Sequence, residues 1–297
     1  MKIIVEDTLK QYETLFSMDS ERENYFRFSM MKPFEEMWNT INVPLKAKQP
    51  NGYDVISAAK MLGYLDISST KAGEEALAKL KAINVLETAA QTLHQCLQYI
   101  ENNQLQIKAD TLKFGMYLAD PEKLRLQKGY CGFGGIPGFI QTSIYPNSYN
   151  IPRIPSIIAH EFHHNIRFSY FDWNHGNVTV GDYLIIEGLA ESFAKELYGE
   201  ELLGPWVTSM EEEDLEYSIA VLKNSLDIQG FASVSSYMFG DTFAAEQGYP
   251  PVGLSPFAGY AVGYHAVQSF MKKNRVGIHE ATLLPTDEIL SNCELFS

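Results

Sequence analysis

The tightest constraint in this sequence is a short run, His160-Glu161-Phe162-His163-His164, preceded by Ile157, Ile158 and Ala159. Residues four apart lie one turn apart on a single helix face, so a helix here brings His160 and His164 together. Neutral imidazole is a good zinc ligand, and two imidazoles on one face can reach one ion. Glu161 lies next to that face and can reach a water on the same ion as a general base. His163 points off the ligand face and reads as a supporting or surface residue. The run therefore predicts a buried helix in the middle of the chain. Pro152 and Pro155 punctuate its start, and Ile157, Ile158, Phe162 and Ile166 face the core.

Two histidines leave such a site incomplete. A longer metal motif needs Gly and His at positions 167 and 170, where this chain has Arg167 and Tyr170. Glu187 is the better third ligand. It follows His164 by 22 intervening residues, enough for a loop and a returning helix, predicted over 183–198 and ended by Gly199. A carboxylate among Leu184, Ile185, Ile186 and Leu189 is costly to bury without a partner, and a metal ion is such a partner. Gly188 is expected to let this helix approach the first. Glu191, one turn beyond Glu187, can accept from the second ring nitrogen of His160 or His164 and fix its tautomer. Asp182 and His175, in or beside the intervening loop, are the alternative third ligands. An oxyanion donor is also required. Tyr260 and Tyr264 share a helix face within a segment predicted helical over 259–273, and either hydroxyl, or His265, can serve.

Composition narrows the function classes. The chain has 297 residues and a formal net charge of −14 with no offsetting basic run, which disfavours nucleic acid as a partner. No apolar stretch approaches the ~20 residues of a spanning helix, and Met1 to Phe16 lacks an apolar signal core, so no membrane role is expected. Cys96, Cys131 and Cys293 are odd in number and far apart, as in a reduced compartment. A cytoplasmic protein is the expectation.

The first hundred residues read as helical, with apolar residues at helix spacing over 53–65 and along one long stretch over 69–102. Residues 105–118 alternate as one or two short strands. The glycine-rich run over 129–140 suits an edge strand whose backbone comes close to another chain or a ligand, or a bulged hairpin. A helix is predicted over 211–226, followed by a loop to Phe257. The fold class expected is α+β, mostly helical, with a small sheet beside the motif helix. The domain division expected is a helical region, 1–105, and a catalytic region, 106–297.

These residues carry a resemblance. His160-Glu161-x-x-His164 followed by Glu187-Gly188-Leu189-Ala190-Glu191 resembles the gluzincin metallopeptidases, the group of thermolysin and the zinc aminopeptidases. With the later Gly259-Tyr260-x-x-Gly263-Tyr264 segment, residues 110–297 are similar to a bacterial family of predicted zinc-dependent proteases of unknown function. The resemblance implies a bound Zn2+ with His160, His164 and Glu187 as ligands, Glu161 as base on a zinc-bound water, and Tyr260 as oxyanion donor. It implies peptide-bond hydrolysis, with a peptide or protein substrate pairing along the glycine-rich strand. The gap from His164 to Glu187 is longer than in thermolysin and the aminopeptidases, and no Gly-x-Met-Glu-Asn exopeptidase motif is present. Two rivals stand beside this reading: a non-catalytic peptide- or protein-binding protein that keeps the zinc-site fold, and a zinc hydrolase acting on other bonds.

Overall fold

The structure is a computed structural model that describes residues 1–173 and 176–296. Among the described residues it is an α+β fold, mostly helical, with one four-stranded sheet. The sheet comprises β1 (Lys2–Val5), β2 (Thr111–Leu118), β3 (Tyr130–Ile136) and β4 (Phe139–Ile144), in the order β1-β2-β4-β3. β1 pairs with β2 and β2 with β4 in parallel, while β3 and β4 form an antiparallel hairpin.

By packing the chain falls into two compact units, residues 1–97 with 107–161, and residues 98–106 with 162–297. The sequence division at 105/106 differs, because β1 at the extreme N-terminus pairs with β2, placing Lys2 opposite Thr111 and Val5 opposite Phe114. The first hundred residues are therefore not all helical. The predicted helix over 69–102 is also two helices, Thr70–Ala82 and Val85–Asn102. Asn84 breaks it with a left-handed φ of 51°, a conformation asparagine tolerates better than most residues.

In the first unit β4 is buried at all six positions although its sequence includes Gln141, Thr142 and Ser143. Burial of polar side chains requires partners, and the Tyr64 hydroxyl supplies one by donating to Gln141 Oε1 at 3.0 Å. Tyr64 in turn stacks on Tyr117 of β2. β3 lies at the sheet edge and its register with β4 shifts between Phe133 and Ile136. The glycine-rich run therefore forms the end strand β3 and its turn into β4, in a hairpin whose register shifts.

In the second unit the helix Val180–Tyr198 is buried along most of its length. A capping box starts it, with Thr179 Oγ1 accepting from Asp182 N and the Asp182 carboxylate accepting from Thr179 N. The helix Ala258–Asn274 packs along it, and Val180, Leu184, Met238 and Val262 form a shared apolar core. The predicted loop up to Phe257 contains a helix instead, Phe231–Gln247, bent at Gly240. Its Val234 and Met238 enter this core. Among the described residues no helix is long and apolar enough to cross a membrane.

A candidate metal centre

The motif lies on the helix Ile154–Tyr170, which follows a 3-10 turn, Ile151–Arg153, and has Pro155 in its first turn. Every residue from Ser156 to Arg167 is buried, so this helix is enclosed on all sides and not on one stripe. That burial is the unusual circumstance, because it encloses His160, Glu161 and His164 at 9%, 7% and 7% exposure. Potential ligand atoms of these three lie within 4.8 Å of one another.

Glu187, 5% exposed on the returning helix, approaches His164. Its Oε2 lies 3.6 Å from His164 Nε2. Two donors bound to one zinc at 2.0–2.2 Å and tetrahedral angles stand about 3.3–3.6 Å apart, so this separation suits ligands of a common ion. The donor set therefore fits a divalent metal: buried imidazole and buried carboxylate, which are costly to enclose without a cation.

Glu161 is held by the glycine-rich strand. A Cβ placed on Gly132 would lie 2.1 Å from Glu161 Oε1, and one on Gly134 would lie 2.0 Å from the Glu161 backbone oxygen. Residues two apart share a strand face, so β3 turns two positions without side chains, Gly132 and Gly134, onto Glu161. The sequence reading noticed the run without assigning it this contact; the signal was the i, i+2 spacing of the two glycines.

Four other expectations resolve as follows. His163 is not a surface residue: it is fully buried, with Nε2 2.9 Å from Thr282 Oγ1. One turn on, buried Arg167 donates to the backbone oxygens of Thr282 and Leu284 at 2.7 Å, and burial pulls its pKa down to about 10. The back of the motif helix thus ties down the chain around 282–284. Gly188 does not serve an approach to the motif helix. Its missing side chain accommodates Gly263, where a Cβ on Gly188 would lie 2.1 Å from the Gly263 oxygen. Asp182 is engaged in the capping box, and His175 lies outside the described residues.

Glu191 is buried and accepts from Trp206 Nε1 at 2.5 Å, a partner the sequence did not suggest. Tyr260 is half-buried, its ring 5.2 Å from that of Trp206. Tyr264, on the same face, donates to Glu200 Oε2 at 2.7 Å. Burial first, and then this carboxylate, hold its pKa far above the usual phenol value. Lys195 also donates to Glu200 at 2.7 Å, and these hydrogen bonds lower the Glu200 pKa. His265 is half-buried, and burial lowers its pKa below the ordinary imidazole value.

Fold and site together define a class: an α+β protein with a buried His-Glu-His group on one helix and a second buried carboxylate beside it. The chain belongs to a family described as "Predicted Zn-dependent protease (DUF2268)", whose model matches residues 85–291. It is 63% identical over the whole length of both chains to the uncharacterized protein YjfC of Bacillus subtilis (strain 168). A second uncharacterized protein of that organism, YjaZ, is 25% identical over 137 residues, 46% of this chain and 49% of the other. No solved structure matches.

Proposed function

We propose that the protein is a zinc-dependent hydrolase of peptide bonds with a gluzincin-like site, in which His160, His164 and Glu187 hold the ion. The observation that carries this reading is the 3.6 Å approach of two buried donors, His164 Nε2 and Glu187 Oε2, the first on the helix that also carries Glu161. Zinc bound there supplies Lewis acidity, polarising a carbonyl and making water acidic near neutral pH. The Glu161 carboxylate takes the proton of the attacking water and returns it to the departing amine nitrogen. β3 keeps that carboxylate in place through its bare face at Gly132. β3 is the end strand in the order β1-β2-β4-β3, and pairing along an end strand is the usual way a sheet binds an extended peptide. Glu191 orients a ligand histidine through its ring nitrogen. Tyr260 takes the oxyanion role ahead of Tyr264, whose hydroxyl proton is directed at Glu200. We place the protein in the cytoplasm.

The test is metal content per chain together with casein hydrolysis. Wild type should hold about one zinc and lose hydrolysis on chelation, and His164→Ala should hold none. Glu161→Gln should keep zinc while hydrolysis falls by roughly 10²–10⁴-fold, the usual contribution of a general base. Full activity in Glu161→Gln would remove Glu161 from the mechanism. No zinc in wild type, even after zinc is supplied, would sink the reading.

A further inference from the structure

An unbroken path of aromatic rings runs through the second unit from one end of the proposed site to the other. The His164 ring stacks on Phe168 at 5.8 Å, and Phe168 lies 5.3 Å from Trp173. Trp173 meets Tyr183 at 5.4 Å, Tyr183 meets Phe239 at 6.1 Å, and Phe239 meets Tyr260 at 5.8 Å. Tyr260 meets Trp206, whose Nε1 donates to Glu191. The path thus begins on a proposed metal ligand and ends on the carboxylate one turn beyond another. All six aromatic residues between these ends are half-buried, neither enclosed in the core nor fully exposed. Tyr183, Phe239 and Tyr260 rest on the apolar core of this unit, and the outer part of each of the six rings keeps apolar surface in contact with water.

Charge selects the kind of occupant. Between Glu211 and Phe257 the chain has eight acidic residues against Lys223 alone, a net of −7 and half the charge of the whole protein. Glu211 to Asp214 and Glu216 are exposed, and the helix Phe231–Gln247, which supplies Phe239, has no lysine or arginine. The acidic helix Glu212–Lys223 and the helix Phe231–Gln247 both pack on Ala258–Asn274, which carries Tyr260, so this charge sits on elements that carry or adjoin the rings. It repels acidic chains and attracts cationic ones, and the ring faces suit lysine and arginine as well as apolar side chains.

We propose that this aromatic belt is the specificity surface of the protein, and that it docks an extended peptide carrying a bulky apolar or aromatic residue flanked by basic residues. That the belt delivers this peptide to a hydrolytic centre rests on the function proposed above; the docking itself does not.

The experiment uses the full-length Glu161→Gln protein, so that peptides survive, with binding followed by calorimetry. Three acetylated, amidated hexapeptides serve as probes: Lys-Lys-Phe-Leu-Lys-Lys, the same peptide with Glu for Lys, and the same peptide with Ser for Phe and Leu. The basic apolar peptide should bind at least ten-fold tighter than either control and weaken with added salt. Adding Phe239→Ala, or separately Trp173→Ala in its half-exposed position, should weaken it at least ten-fold. Equal binding of the acidic peptide, or unchanged affinity in a folded Trp173→Ala protein, would overturn the proposal. Zinc content and wild-type casein hydrolysis are read on parallel preparations. Discrimination among peptides without zinc or hydrolysis would support the belt and sink the hydrolase reading. Zinc and hydrolysis without discrimination would sink the belt alone.

Discussion

Glu161 is separated from the sheet by almost nothing, since the residue facing its carboxylate is Gly132. A methyl group at that position overlaps Glu161 Oε1 and must push the carboxylate aside, because the strand backbone behind it is fixed by pairing with β4. A displacement on the scale of an ångström costs a reacting group about a hundred-fold in rate. Gly132→Ala should therefore reduce casein hydrolysis by about that factor while zinc content stays near one per chain. A variant with full activity would show that the carboxylate is not held by this strand. The identity of Glu161 was legible from its place beside His160. Its support was not, because nothing in the sequence says that residue 132 meets residue 161.

The pairing of Val180–Tyr198 with Ala258–Asn274 illustrates the same limit for whole elements. Both helices were predicted from the sequence, over 183–198 and 259–273, and Gly188 was readable as a point of close approach. The partner was misassigned, because Gly188 meets Gly263, and a Cβ on Gly263 would in turn lie 2.2 Å from the Leu184 oxygen. Here backbone meets backbone, so no side chain can rotate away from an added methyl. Gly263→Ala should cost about 1–3 kcal/mol, the usual range for overpacking, seen as a lower urea midpoint at unchanged slope. A midpoint equal to wild type would mean that the helices can separate without penalty. The Phe231–Gln247 helix escaped the sequence reading for a related reason. Gly240 interrupts it with a φ of 79°, and its buried positions do not follow a single stripe. Only packing against Leu184 and Val262 makes it worth forming.

Taken as a whole, the molecule gathers its proposed ligands from positions 160, 164 and 187, and a metal that binds only the folded chain must stabilise it. At free zinc a hundred-fold above the dissociation constant, this linkage contributes about 2.7 kcal/mol. Chelation should lower the Tm of wild type and leave that of His164→Ala unchanged; equal sensitivity in both would place the metal elsewhere. What the sequence determined by itself was whatever depends on neighbours along the chain. This includes the motif helix, the returning helix with its Glu187, the glycine-rich strand and the acidic balance. The first three follow from periodicity or spacing within one or two dozen residues, and the last from composition alone. Tertiary structure alone decided that β1 joins β2 across more than a hundred residues, that Gly132 backs Glu161, and that Trp206 meets Glu191. Those choices depend on which buried surfaces fill one another's space, and side-chain packing between distant segments leaves no periodic trace in the chain that carries it.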